Sequence, residues 1–251
     1  MKPPQLSVII ITKNQSRFLQ PTLKMLQQQT YQDFETIIVD SGSTDGSLKL
    51  YSQFAHRLIQ IQPQKFNYAQ AFNQGAKIAQ GKILLRLSGD AIPGNQDFLK
   101  SLVNDFRSPN IGGVCGRYVY SSKMALGYKI MFSYNQGFGQ TACFKQPFPI
   151  TGACFAFKKS LWQTHPFNEK VKIGEDIEWT FWVLSKKYSL IYEPQAWVYH
   201  EHRNTPLLQL PFLSLKILDL CFYLSKKYPQ FLAGFLKLAL IQAVKYPFGK
   251  N

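Results

Sequence analysis

Residues 6–12, LSVIIIT, form an unbroken apolar and largely β-branched run. Such a run marks a strand buried on both faces, the situation of a parallel sheet covered by helices on either side. Parallel neighbours need helical crossovers, and the chain supplies them. Residues 16–29 carry Phe18, Leu19, Leu23 and Leu26 at helical spacing, and FETIIV at 34–39 reads as a second strand. The loop 41–46 opens another helix, with Ser43 or Thr44 as its N-cap. Residues 58–61 form a weaker third strand, 68–80 a helix and 83–87 a fourth strand. This alternation predicts an α/β fold with a doubly wound sheet.

In such sheets ligands bind beyond the carboxyl ends of the strands. Two strands here end in a lone acid. Asp40 closes the second and leads into Ser41-Gly42-Ser43-Thr44-Asp45-Gly46. Its carboxylate can accept hydrogen bonds from a base or ribose, and the loop amides near a helix start suit phosphate. An ordinary capped loop would look the same. The fourth strand runs into Ser88-Gly89-Asp90 before Pro93-Gly94. Asp90 is placed to hold a cation or a ribose, or the triplet is only a turn capping the next helix. GxGxxG and GxxxxGK[ST] are both missing from the sequence, which removes the main support for dinucleotide and P-loop readings.

After Asp90 the alternation is lost. Residues 96–106 read as a helix, 111–120 as a strand, 124–140 as a helical or irregular aromatic stretch, and 148–157 as holding another strand. Aromatic-rich halves of this kind shape a second substrate's pocket. Carboxylates number only 14, yet Glu175, Asp176 and Glu178 fall within four positions. On an amphipathic helix running to about residue 187, Asp176 and Trp179 share a face and Glu175 and Glu178 a neighbouring one. One acid of the three suits the helix dipole. Asp176 is the candidate general base, because its face also carries apolar residues that can line a site. Glu175 and Trp179 beside it are the candidates for acceptor contact.

Residues 190–200 read as paired short strands ending in His200-Glu201-His202. These histidines are either structural or, with Asp90, part of an octahedral Mg²⁺ or Mn²⁺ site completed by substrate phosphates. Residues 206–251 hold six Lys and one Asp among leucines and phenylalanines, in two helix-length segments broken near Tyr228-Pro229. They are amphipathic helices that either pack on the preceding domain or lie on a membrane surface.

The net charge of +15 predicts an anionic partner: nucleotide, nucleic acid or lipid. Cys115, Cys143, Cys154 and Cys221 form no CxxC pattern, so a reduced, cytoplasmic setting is expected. Residues 1–4 lead straight into a strand, which predicts no export signal, and no charge-free stretch of about 18 apolar residues predicts a spanning helix.

Taken together, the chain resembles a family 2 glycosyltransferase of the GT-A fold, rhamnosyltransferase-like branch. The matching pieces are VIIITKN at 8–14, VDSGSTDGS at 39–47, Asn73-Gln74-Gly75, LSGDAIP at 87–93, TGACFAFKKSLW at 151–162, GEDIEW at 174–179 and YEPQAWVYHEH at 192–202. The resemblance covers residues 6–202 in the family's order and is loose beyond. It implies a GT-A type Rossmann-like nucleotide-binding sheet (1–94) and a smaller acceptor-binding half (95–205), followed by a basic amphipathic helical extension (206–251). It implies that Thr12, Asn14 and Asp40 meet the nucleotide, and Ser43, Ser88 and Asp90 are expected to join them in binding the nucleotide sugar. Asp90 takes the second acid position of the DxD motif, which holds the metal. Asp176 takes that of the base, and His200 that of a histidine completing the metal site.

Two departures stand out. Ser88 replaces the first acid of DxD, and Ala71-Phe72 stand where the family has an arginine that contacts diphosphate. Arg86, a charge in an otherwise apolar strand, is expected to reach the diphosphate instead. The implied activity is inverting transfer of a sugar from a nucleotide sugar, dTDP-rhamnose favoured, to a hydroxyl of a surface polysaccharide or lipid-linked oligosaccharide. Mg²⁺ or Mn²⁺ is the expected cofactor, and residues 206–251 are expected to touch the inner face of an anionic membrane. Nucleic acid is not an expected partner, since no motif for it is visible. One rival is a hexosyl- or N-acetylhexosaminyltransferase of the same fold using a UDP- or GDP-sugar. The other is a non-catalytic basic binding protein on a degenerate fold of this type.

Overall fold

The structure is a computed structural model that describes residues 2–120, 140–146, 152–200, 210–231 and 233–234. The expected segment 124–140 lies almost wholly outside these residues, as do His202 and most of the second C-terminal helical segment.

The first strand, β1 (Leu6–Thr12), is buried along its whole length. Its alternate side chains feed two separate cores. Ile9 and Ile11 join Ala69, Phe72 and Ala76 of one layer, while Val8 and Ile10 join Leu19, Leu23 and Leu26 of the other. This two-sided burial is what the unbroken apolar run demanded. β1 pairs in parallel with β2 (Phe34–Asp40) and with β4 (Ile83–Ser88), and β2 pairs in parallel with β3 (Arg57–Gln60). The crossovers carry helices α1 (Ser16–Gln27), α2 (Ser47–Phe54) and α3 (Tyr68–Ile78). The doubly wound expectation therefore holds for the first 88 residues.

The sheet then continues as a mixed one. After β5 (Ala91–Pro93) and α4 (Phe98–Asn104) come β6 (Ile111–Tyr120), β7 (Ala142–Phe144) and β8 (Cys154–Lys158). They are followed by α5 (Lys159–Thr164), α6 (Glu175–Ser185), β9 (Ser189–His200) and α7 (Leu210–Lys227). The strand order is β3-β2-β1-β4-β8-β6-β9-β5, with β7 also on β9. β8 runs antiparallel to β4 and β6, and β6 runs parallel to β9. The carboxyl ends of β1, β2, β4, β6 and β9 thus share one edge, and the amino end of β8 joins them there.

Three sequence expectations change. Residues 190–200 are one long strand, β9, rather than paired short strands, because β5, β6 and β7 all pair with it along its length. The helix α2 is capped by neither Ser43 nor Thr44. It starts after Gly46, whose φ of 86° suits only glycine at low cost, and Asp45 accepts from Ser47 N at 3.1 Å. Finally, α6 is not amphipathic: Glu175, Asp176, Glu178 and every residue from Trp179 to Leu184 are buried. The reason is α7, whose Tyr228-flanked end lays aromatic rings against Phe181. Among the described residues no helix is long and apolar enough to cross a membrane.

Candidate active site

Register builds the site first. Thr12 pairs with Asp40, and Ile11 pairs with Ser88, so the ends of β2, β1 and β4 form one row at the carboxyl edge. The strand order reverses between β1 and β4, which is where open α/β sheets bind ligands.

The two loops leaving β1 and β2 are knitted together. Asn14 sits at φ 51°, a conformation asparagine tolerates better than most residues. Its amide donates to Ser43 Oγ at 2.8 Å, and its Oδ1 accepts from Thr44 N at 2.7 Å. Asp40 is fully buried. Its Oδ1 accepts from the amides of Gly42 and Ser43, both at 2.9 Å, and Oδ2 accepts from Tyr51 Oη at 3.0 Å and from Ser43 Oγ. Asp40 therefore organises its own loop. Thr12, behind it, is buried within reach of Tyr51 Oη and Gln15 Oε1. Of the residues expected at the nucleotide, Asn14 alone is exposed.

Beside this row opens a cavity of about 230 Å³, lined among others by Ser88 and Arg86 of β4, Gly152, Glu175, Asp176 and His200. Arg86 and His200, 114 positions apart in sequence, meet here because β4, the amino end of β8, the head of α6 and the end of β9 converge on one edge. Arg86 enters from β4 and is 8% exposed. Its Nη1 lies 2.8 Å from Glu175 Oε1 and 3.6 Å from Asp176 Oδ2. The aromatic rings of Tyr68 and Phe167 lie 5.8 and 5.9 Å from the guanidinium. Burial disfavours its charge, yet the Glu175 and Asp176 carboxylates outweigh that and hold its pKa above the ordinary value. Arg86, expected at the diphosphate, lines the cavity with its guanidinium beside the Glu175 and Asp176 carboxylates.

Asp176 is 7% exposed. Burial, opposed by Arg86 and reinforced by Glu175, raises its pKa to about 6. A carboxyl titrating there is ionised at neutral pH and basic enough to take a proton. Gly152 makes the approach possible: a Cβ would fall 2.7 Å from Asp176 Oδ2 and closer still to the Arg86 guanidinium. The glycine of TGACF was visible in the sequence, but no sequence signal tied it to two residues that only tertiary contact brings near. The same holds for Tyr118, whose hydroxyl accepts from Ala153 N at 2.7 Å and holds the cavity wall.

Trp179 does not line the cavity. It is fully buried, donates Nε1 to His165 O at 2.9 Å and packs among Phe155, Phe157 and Phe167. Three residues is less than one helical turn, and with α6 enclosed on all sides Trp179 turns into the core while Asp176 faces the cavity.

At the far rim, β5 pairs with β9 so that Ala91 faces His200, which brings His200 Nε2 to 3.0 Å from Asp90 Oδ1. Ser88 Oγ donates to the same Asp90 oxygen. Among the described residues no three or more His, Cys, Asp or Glu side chains are grouped so that they could hold a metal ion. The Asp90–His200 pair nonetheless suits a hard divalent ion that keeps waters and takes substrate phosphates. Neighbouring donors around an octahedral ion with bonds of about 2.1 Å stand about 3 Å apart.

The fold is similar to solved GT-A glycosyltransferases. One is the mannosyltransferase PcManGT from Pyrobaculum calidifontis in complex with GDP-Man and Mn²⁺, with a TM-score of 0.67 at 19% identity, over 98% of this chain and 74% of that one. Another is TarS 1-349 of S. aureus, with a TM-score of 0.62 at 18% identity, over 78% of this chain and 60% of that one. The family model for glycosyl transferase family 2 matches residues 7–164, and the chain belongs to that family. Its curated relatives include the O-antigen chain rhamnosyltransferase WbaN of Salmonella anatum, 26% identical over 195 residues, 72% of this chain and 60% of the relative. The O-antigen chain rhamnosyltransferase RfbN of Salmonella typhimurium is 26% identical over 221 residues, 80% of this chain and 68% of the relative. The chain thus spans between 60% and 68% of the length of these two relatives.

Proposed function

We propose that this protein is an inverting glycosyltransferase that moves a sugar from a nucleotide sugar to a hydroxyl of a polysaccharide-type acceptor. The observation that carries the reading is Asp176: a buried carboxylate titrating near 6, in one cavity with the strand-end residues of β4 and β9. The Asp176 carboxylate takes the proton from the acceptor hydroxyl. The acceptor oxygen bonds to the anomeric carbon, and the bond from that carbon to the diphosphate oxygen breaks with its electron pair leaving on the diphosphate. Arg86 lies closer to Glu175 than to Asp176, 2.8 Å against 3.6 Å, so Glu175 is the carboxylate it ties down and Asp176 is the one left to meet the acceptor.

Asp90 and His200 would hold Mg²⁺ or Mn²⁺. Such an ion supplies positive charge for the departing diphosphate oxygens. Asn14, Thr12, Ser43 and the loop organised by Asp40 form the nucleotide end of the site. Glu175 stays on the acceptor side through its place in the cavity wall.

The donor favoured is dTDP-rhamnose and the acceptor a surface polysaccharide or lipid-linked oligosaccharide, on the strength of the O-antigen rhamnosyltransferases among its relatives. The setting is cytoplasmic, with the basic residues 206–251 at an anionic membrane surface. Co-sedimentation with phosphatidylglycerol vesicles tests the last point, and equal recovery with phosphatidylcholine vesicles would overturn it.

A thermal-shift panel of dTDP-rhamnose, UDP-hexoses, UDP-N-acetylhexosamines and GDP-mannose, each with and without Mn²⁺, tests the whole reading. A donor at 100 times its dissociation constant stabilises by about 2.7 kcal/mol. A Mn²⁺-dependent shift with dTDP-rhamnose is the expected result. A shift with another sugar would reassign the donor, and none with any nucleotide would favour the non-catalytic reading.

A further inference from the structure

Glu178 lies on the same helix as Glu175 and Asp176 but faces away from the cavity, and it is completely buried. Its Oε1 accepts from Lys227 Nζ at 2.7 Å and from Tyr228 Oη at 3.2 Å, and His165 Nε2 lies 3.2 and 3.3 Å from its two oxygens. Lys227 also donates to Tyr223 Oη at 2.9 Å, which in turn accepts from Asn168 Nδ2 at 3.1 Å. Burial pushes Glu178 up, but the bonds from His165 and Lys227 outweigh it and hold the carboxyl below its ordinary value. Lys227, Tyr228 and Tyr223 all belong to α7 or the residue directly after it. At the other end of the contact, a Cβ on Gly174, the residue before α6, would overlap Leu220 of α7.

We propose that α7 is a working part of the site: through Glu178, Lys227 and Tyr228 it fixes the position of α6 along its axis and so holds Asp176 against Arg86. This rests on the glycosyl-transfer reading of Asp176. The first turn of α6 has no side-chain cap, and Gly174 before it has φ 79°. Apolar contacts such as Phe181 with Tyr228 and Phe231 tolerate sliding, whereas a buried carboxylate surrounded by several donors satisfies them in one arrangement only. A buried ion pair contributes little stability over an apolar substitute, so a cluster of this kind is better explained by the geometry it specifies. Glu178 and Lys227 are thus positioning residues. A shift of about 1 Å at Glu178 is the same shift at Asp176, and displacements of that size at reacting groups cost about 10²-fold in rate.

The test compares full-length wild type with Lys227→Met, Tyr228→Phe and Lys227→Arg. Amide hydrogen exchange over residues 174–180 is read without substrate. Nucleotide release from dTDP-rhamnose with Mn²⁺ is read as kcat, donor KM and the pH dependence of kcat. The groups facing Asp176 that set that dependence are Arg86 and Glu175, with Tyr68, Tyr118 and His200 elsewhere in the cavity wall.

Lys227→Met is expected to exchange faster at 174–180 and to lose about 10- to 100-fold in kcat. Its donor KM stays within about twofold, the acid limb of its profile is displaced, and Lys227→Arg recovers most of the loss. A folded Lys227→Met with wild-type exchange and a wild-type acid limb would overturn the proposal. Should Lys227→Met fail to fold, Tyr228→Phe, which removes one hydroxyl and no charge, must show the same effects in smaller measure; wild-type exchange and kcat there would overturn it. A wild type that releases no nucleotide counts against the glycosyl-transfer reading alone, and the exchange comparison still decides the clamp.

Discussion

Glu175 and Asp176 are neighbours in sequence that share one guanidinium, and the sharing is unequal: 2.8 Å to Glu175, 3.6 Å to Asp176. Asp176→Asn removes the proposed base while keeping the side chain's shape. Its kcat should fall about 10²–10⁴-fold with donor affinity unchanged, as single-turnover kinetics and donor titration would show. The same change should stabilise the fold at pH 8. A carboxyl raised in the folded state from 3.8 to about 6 favours folding fully below its unfolded pKa, and that contribution is lost as pH rises through about 6. At pH 8 the ionised group is a burden of about 1–3 kcal/mol, which asparagine does not carry. A Tm for Asp176→Asn at or below wild type at pH 8 would count against the raised pKa. Arg86→Met leaves two buried carboxylates without a counter-charge, a defect typically costing about 3–5 kcal/mol. Melting curves should show a deficit near pH 8 that shrinks towards pH 5, as Asp176 takes up its proton.

At the scale of elements, α6 carries the site on one side and the core on the other. Its N-terminus depends on Gly174 for two reasons: a φ of 79° and the absence of room for a Cβ beside Leu220. Gly174→Ala is therefore strained twice over and should cost more than the roughly 1 kcal/mol of a conformational penalty alone. The damage should appear as loosened α6 and α7 amides in hydrogen exchange, with β1 and β2 unaffected. The strands were legible because burial on two faces writes a continuous apolar run. The helix α6 was misread as amphipathic because its outer face is covered by α7, 50 residues away, and no local pattern announces that cover.

For the molecule as a whole, the sheet's change from parallel to mixed after β4 is what gathers Asp90, Asp176 and His200 onto one side. If Asp90 and His200 hold a divalent ion, His200→Ala should abolish the Mn²⁺-dependent part of the donor thermal shift, and a chelator should do the same to wild type. A donor-dependent shift of about 2.7 kcal/mol corresponds to roughly 5–10 °C for a domain of this size, which is readily measured. An undiminished shift in His200→Ala would remove this histidine from the ion. The bonds of Lys227 and Tyr228 to Glu178 also join the end of α7 to the unit that precedes it.

The sequence by itself determined the parallel half of the sheet, because unbroken β-branched runs have no other economical burial. It also determined the family, because ordered motifs from residue 6 to residue 202 are read without any knowledge of contacts. Tertiary structure alone decided which side chains meet. It turned Trp179 inward, brought Arg86 beside the carboxylate pair, closed the Asp40 loop on itself and set Lys227 against Glu178. Each of these depends on what lies across from a residue in space, and a buried charge takes its partner from whichever element packs beside it rather than from its neighbours in the chain.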